Sequence, residues 1–199
     1  MEIKVEIEGI APMLHSKFSD EAVLAIENGT SKAMVGEKKT RKQQAESLLY
    51  ADSKGNPIFP GPNIFAAIIA AGVFHKAGKK QVTTAKSSLV PAGIAVLEIE
   101  CPMLGLDGKP AQWDIDSRSI VVDITKRRMA HRPRFDHWRI KFTLDVDDTM
   151  FSEAIVRNLV DDAGKKIGLG AFRPARKGPF GRFKVIHWTA KREQLPKAA

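Results

Sequence analysis

A single cysteine, Cys101, stands in the 199 residues, so no disulfide forms within the chain and an all-cysteine metal site is excluded. It ends an apolar run and reads as a small buried hydrophobe. The five histidines are scattered without metal-ligand spacing, and no metal site or cofactor is expected. No apolar run approaches the length of a membrane span, so no membrane partner is expected. The chain enters an amphipathic strand at its first residues, which gives the expectation of no signal peptide and a reducing, cytoplasmic setting. A Ser/His/Asp pattern, a Walker loop and a dinucleotide fingerprint are all missing. Acidic residues are absent from the whole stretch between Asp162 and Glu193.

That last gap coincides with the densest cluster in the chain. Residues 168–184 hold four glycines, three arginines, two lysines and three phenylalanines, after Lys165 and Lys166. Glycine backbone approaches a ligand closely and adopts positive φ, and successive amides form concave anion sites. Arginine adds bidentate hydrogen bonds to phosphate, and phenylalanine offers a face for a base. The expectation is a backbone clamp in which Lys166, Arg173, Arg176, Lys177 and Arg182 hold phosphates and the amides of Gly168 and Gly170 supplement them. Phe172 or Phe180 would stack on bases. The competing reading is a helix stopped by Gly168, with its cations in water.

A second basic run, Lys126-Arg127-Arg128-Met129-Ala130-His131-Arg132-Pro133-Arg134, lies between two expected strands as a projecting hairpin. Its like charges repel in the free chain, a cost that a phosphate backbone relieves. Asp123 and Asp136 at its ends are positioned to pair with one or two of the arginines. The Lys38–Lys42 and Lys76–Lys86 segments read first as solvated loops. Overall, 32 basic residues against 23 acidic ones give a net charge of +9, which argues for a polyanionic partner.

Hydrophobic periodicity supplies the frame. Residues 3–8 alternate as a strand, and Ser19-Asp20 is placed to cap a short helix through Glu27. Residues 28–44 read as an exposed insertion that turns helical toward Leu49. Pro62 opens a buried, alanine-rich helix. Residues 93–100 and 113–123 read as strands, and Trp138–Val146 as another. A helix runs from about Phe151 to Ile167, and Phe183–Trp188 is the last strand. The order β-α-β, extra strands, β-α-β predicts an α+β fold: a ferredoxin-like (RRM-like) antiparallel sheet with helices on one face and long basic insertions. It is expected as one domain over 1–190, with insertions at about 28–47 and 123–137 and a flexible tail at 191–199.

Catalysis has little to stand on. Asp145, Asp147 and Asp148 cluster at a strand end before a helix, where aspartate more often serves the helix N-terminus than a metal. His15, His131 and His137 are candidates for acid–base work on an RNA 2′-hydroxyl.

Two segments carry a family resemblance. The final loop, with Gly-Pro-Phe-Gly-Arg-Phe leading into a last strand, resembles the glycine-rich loop of the RAMP superfamily of CRISPR-associated RNA-binding proteins. Ile58-Phe59-Pro60-Gly61-Pro62-Asn63-Ile64, entering an alanine-rich helix, is similar to the entry to the first helix of the backbone-forming RAMP subunits. The loop departs from that pattern by carrying Phe172-Arg173-Pro174 where a compact glycine-rich stretch is usual. The resemblance implies the fold and the binding of single-stranded RNA or DNA by copies assembled side by side. A CRISPR effector in antiviral defence and a phage or mobile-element coat protein both fit it. The alternative it implies is a metal-independent endoribonuclease using His15 or His131, and a third reading is a basic structural protein whose charge faces another protein.

Overall fold

The computed structural model describes residues 1–18, 23, 27, 39–123 and 126–191. The elements in chain order are β1 (Glu2–Gly9), β2 (Met13–Leu14), α1 (Arg41–Ser47), β3 (Ile58–Pro60), α2 (Gly61–Ala71), β4 (Lys76–Ala77), β5 (Lys80–Gln81), α3 (Val90–Gly93), β6 (Ile94–Val96), β7 (Glu100–Leu104), β8 (Asp114–Asp123), β9 (Lys126–Phe135), β10 (Arg139–Val146), α4 (Glu153–Asp162) and β11 (Phe183–Lys191). The expected cap at Ser19-Asp20, most of the helix after it, residues 28–38 and the tail from 192 lie outside the described residues.

The main sheet runs β11-β1-β10-β7-β3, with β6 also on β10, and every pairing is antiparallel. β1 and β10 occupy the centre because each alternates cleanly. Ile3, Val5 and Ile7 point inward from one, and Ile140, Phe142, Leu144 and Val146 from the other, all buried. α2 covers that inner face with Ile64, Ala67, Ile68 and Ala71, a helical stripe whose small members permit close approach. α4 adds Val156, Leu159 and Val160 beside it. The architecture is therefore α+β, with helices on one side of a mostly antiparallel sheet in the ferredoxin-like strand order.

Two departures from the sequence reading have local causes. The expected strand over 93–100 splits into β6 and β7, because Glu98 turns its carboxylate onto the Thr143 amide and hydroxyl, both at 2.7 Å, where a ladder partner would sit. The last strand continues past Trp188 to Lys191, and a register shift opposite Glu6 and Ile7 pushes Ile186 outward.

The outer face of the sheet is a lattice of opposite charges. Glu8 accepts from Arg139 at 2.6 Å and from Lys184 at 3.0 Å, and Glu6 lies 3.6 Å from Lys141. Hydrogen bonds from Lys184 and Arg139 hold the Glu8 carboxyl below its usual range. RRM-type sheets offer aromatic rings to bases on this face; here the described strands offer neutralised ion pairs.

A second sheet, β2-β9-β8, stands apart from the first. It consists mostly of one long hairpin of two ten-residue strands, about 30 Å from base to tip at the usual rise per residue. The basic run is thus itself a strand, β9.

Candidate nucleic-acid interface

The glycine-rich loop starts where α4 gives way to a π-helical turn over Ala163–Ile167, stopped by Gly168 at a φ of 73°. It crosses a short 3-10 turn at Pro174–Arg176 and ends at β11. Its glycines serve the loop's own packing. A Cβ on Gly178 would lie 1.9 Å from the Phe172 carbonyl oxygen, and one on Gly181 would lie 1.8 Å from that of Leu169. The amides follow suit. Gly168 donates to Ala163 at 2.8 Å, Gly178 to Arg173 at 3.1 Å and Gly181 to Pro12 at 2.8 Å. The expectation that loop amides aim at a ligand is corrected for Gly168, whose N–H is spent within the fold. Among the described residues, the Gly170 amide has no acceptor.

The same bonds tie the loop to the hairpin. Ala171 donates to Leu14 at 2.9 Å, and Ile10 to Arg182 at 2.9 Å, so the loop grips residues 10–14. Those residues in turn pair through β2 with Arg134 and Phe135 of β9. Side chains complete the junction. Arg118 lies over the Phe180 ring at 4.5 Å and Arg132 over the Phe172 ring at 5.7 Å. Ladder register puts Asp116 opposite Arg132 and Arg118 opposite Ala130, so these residues share one face of the hairpin, and that face lies on the loop. The two basic constellations, about forty residues apart in sequence, meet in space.

The cations there divide into two groups. Lys166 is paired with Asp162 at 2.7 Å and Arg134 with Asp136 at 2.7 Å. The pairing foreseen for Asp136 is present, whereas the Asp123 side chain lies outside what is described, as does that of Lys126. Among the described residues, Arg127, Arg128, Arg132, Arg173, Arg176, Lys177 and Arg182 form no ion pair. Arg127, Arg128, Arg176, Lys177 and Arg182 are exposed. Arg173 is half-buried, donating to the Gly170 carbonyl at 2.9 Å, and burial together with Arg176 pulls its guanidinium below the usual range. Phe172 is 37% exposed, whereas Phe180 is 7% exposed beneath Arg118. Only Phe172 of these two presents its ring to solvent.

Beside the loop, a cleft of about 370 Å³ opens between α2 and residues 167–175, with Ser16, Tyr50, Asn63 and Arg173 in its wall. No local signal in the chain joins Ser16 and Tyr50 to this place. Asn63 had a signal, since it follows the Pro-Gly-Pro that opens α2.

The histidines go elsewhere. His15 is fully buried, ringed by Tyr50, Phe59 and Phe135. Its Nδ1 accepts from the Tyr50 amide at 3.3 Å and its Nε2 meets the Met103 sulfur at 3.1 Å. Burial pulls it down to about 3, so it is neutral and sealed from solvent at pH 7. This makes it a core residue in place of an acid or base. His131 is buried against the Ser117 hydroxyl at 2.7 Å, and His137 is exposed at the β9–β10 turn. No hydrogen bond joins any two of the three among the described residues. Asp147 folds back on the Thr149 amide and hydroxyl, at 2.9 and 2.6 Å, while Ser152 takes the N-cap position of α4. Among the described residues, no group of three or more His, Cys, Asp or Glu side chains is arranged to hold a metal. No described helix is long and apolar enough to cross a membrane.

No protein-family model matches this chain, and no curated protein matches it. Among solved structures, it is similar to a chain in the cryo-EM structure of the type III-B Cmr-beta bound to cognate target RNA, with a TM-score of 0.47 and 10% sequence identity. That match covers 94% of this chain and 59% of the other, so this chain spans less than two thirds of its length.

Proposed function

We propose that the protein binds single-stranded nucleic acid, RNA or DNA, across the junction of the glycine-rich loop and the β8–β9 hairpin. The observation that carries this reading is the junction at the partly exposed Phe172 ring: Arg132 of the hairpin lies over it, Arg173, Arg176 and Lys177 follow it in the loop, and none of the four forms an ion pair among the described residues. Cations held apart from acids in the free protein are compensated when a phosphate chain crosses them. Phe172 supplies the sequence-tolerant stacking that single strands use. The sheet's outer face suits this role less, since Arg139, Lys141 and Lys184 there already pair with Glu6 and Glu8. Copies of the protein then sit side by side along the strand, each hairpin lying over the polymer.

The test is fluorescence anisotropy with labelled oligonucleotides across a salt series. Arg173→Ala combined with Arg176→Ala weakens binding for all sequences alike. It lowers the slope of log affinity against log salt by about 1.4, from about 0.7 for each lost phosphate contact on a single strand. The control pair on the outer face, Arg139→Ala with Lys141→Ala, leaves affinity and slope unchanged. Wild-type affinity and slope in the loop double variant would overturn the reading, as would a loss of equal size in the control.

A further inference from the structure

At the seam between hairpin and loop, one cation is left in an unsatisfied position. The Nε and Nη1 atoms of Arg132 are buried and have no hydrogen-bond partner. A guanidinium normally fills all such donors when taken out of water. The nearest acid does not serve it: Asp116, its cross-strand neighbour, turns both oxygens to Arg118, accepting from Nε at 2.5 Å and from Nη2 at 2.6 Å. Arg118 itself adds like charge. Burial and that neighbour pull the Arg132 guanidinium below its usual range, against the attraction of Asp116.

What covers Arg132 is also out of the ordinary. The Phe172 ring lies over the guanidinium at 5.7 Å, yet Phe172 holds a φ of 52°, the left-handed region that bulky side chains avoid. Its backbone is pinned there: its carbonyl accepts from Phe180 at 3.1 Å and the preceding amide of Ala171 donates to Leu14. The ring itself is more than a third exposed. A pinned backbone thus holds a partly exposed ring over a guanidinium with two idle donors.

We propose that Arg132 and Phe172 form a nucleotide latch. In the free protein the ring shields the guanidinium. When a strand arrives, one phosphate takes the idle Arg132 donors, and the displaced ring stacks on the adjoining base. This deepens the reading above and rests on it: it names one phosphate-plus-base unit within the larger cationic surface. It also couples two contacts, because the ring cannot stack without uncovering the arginine.

Thermal unfolding in potassium phosphate against potassium chloride at matched ionic strength tests the anion site, and anisotropy with a twelve-nucleotide strand tests the latch. The wild-type melting temperature rises in phosphate. Arg132→Met melts higher than wild type in chloride, since an unsatisfied buried charge is gone, and gains less from phosphate than wild type does, the remainder being what the other cations and the salt itself supply. Its affinity for the strand falls about tenfold to a hundredfold, the size of one or two hydrogen bonds to a charged donor. Arg132→Lys, which keeps the charge and loses the fork, falls in the same direction by less and covers the case in which the methionine variant does not fold. Phe172→Leu keeps the phosphate response, binds the normal strand more weakly, and binds an abasic strand as wild type does. Wild-type affinity in Arg132→Met, or a phosphate response as large as that of wild type, overturns the latch. If that happens while the Arg173/Arg176 double variant still loses binding, the latch alone has failed. If the double variant also binds normally, the broader reading has failed with it.

Discussion

Acidifying the protein from pH 7.5 to pH 5 isolates one residue. His15 is held neutral in the folded state, with burial bringing it down to about 3 from a reference of 6.5. The unfolded chain therefore takes up a proton below pH 6.5 that the folded chain refuses. Stability supplied by the neutral imidazole is complete above pH 6.5 and is lost as pH falls, at about 1.4 kcal/mol per pH unit, until the folded form also titrates near pH 3. Between pH 7.5 and 5 the loss comes to about 2 kcal/mol. The carboxylates held below their usual range, Glu8, Asp52, Asp147 and Asp162, act lower, since their reference values are 4.5 for glutamate and 3.8 for aspartate. The window from pH 5 to 6.5 thus belongs largely to histidine. Urea unfolding of wild type and His15→Asn, which keeps an acceptor for the Tyr50 amide, separates His15 from the other four. The wild-type curve falls by about 2 kcal/mol more than the variant's over this range. Parallel curves would refute the placement of His15 in a sealed core.

Two further outcomes check the packing that supports the interface. Gly178→Ala drives a Cβ to within 1.9 Å of the Phe172 carbonyl oxygen, which costs about 2–3 kcal/mol in urea unfolding as an overpacked site. It weakens oligonucleotide binding by displacing Phe172, and a loss below about 0.5 kcal/mol, the level of ordinary surface changes, would contradict the closed loop. Burial, with Glu98 adding to it, pushes the Cys101 thiol up to about 12, so the native protein resists a disulfide reagent at pH 8 and reacts fully only in urea. Rapid labelling of the folded protein would show that the β3–β7 edge is open.

The frame of the fold was legible because its central elements carry strong local signals. Alternation marked β1 and β10, and a helical stripe marked α4. The split of β6 from β7 was not, since it depends on a Glu98 carboxylate meeting a Thr143 amide that is distant in sequence. For the site, composition picked out both the loop and the hairpin as cationic. It misjudged Gly168, whose amide is spent on the Ala163 carbonyl, and it did not show that Gly178 and Gly181 are there to let loop carbonyls approach, a need visible only once the loop has closed. The partnership of Arg132 with Phe172 was hidden for a related reason. Ladder register, which sets Arg132 opposite Asp116, decides which hairpin face carries it, and no run of neighbours in the chain shows that register. His15 drew attention as a titratable group, while the three rings that enclose it come from β3, β9 and the segment before β3.

The edges of the main sheet bear on how copies meet. β11 ends the sheet on one side, and it is broken by the outward step at Ile186 and studded with Lys184, His187 and Lys191. β3 ends it on the other side, three residues long, preceded by Pro57 and closing on Pro60. Charge, a bulge and proline are the devices by which strands refuse new backbone partners. In the side-by-side assembly proposed above, neighbouring molecules would therefore not fuse into one continuous ribbon of strands. Their spacing would be left to side chains and to the reach of the hairpin, and each copy could join or leave the row without unzipping a shared sheet.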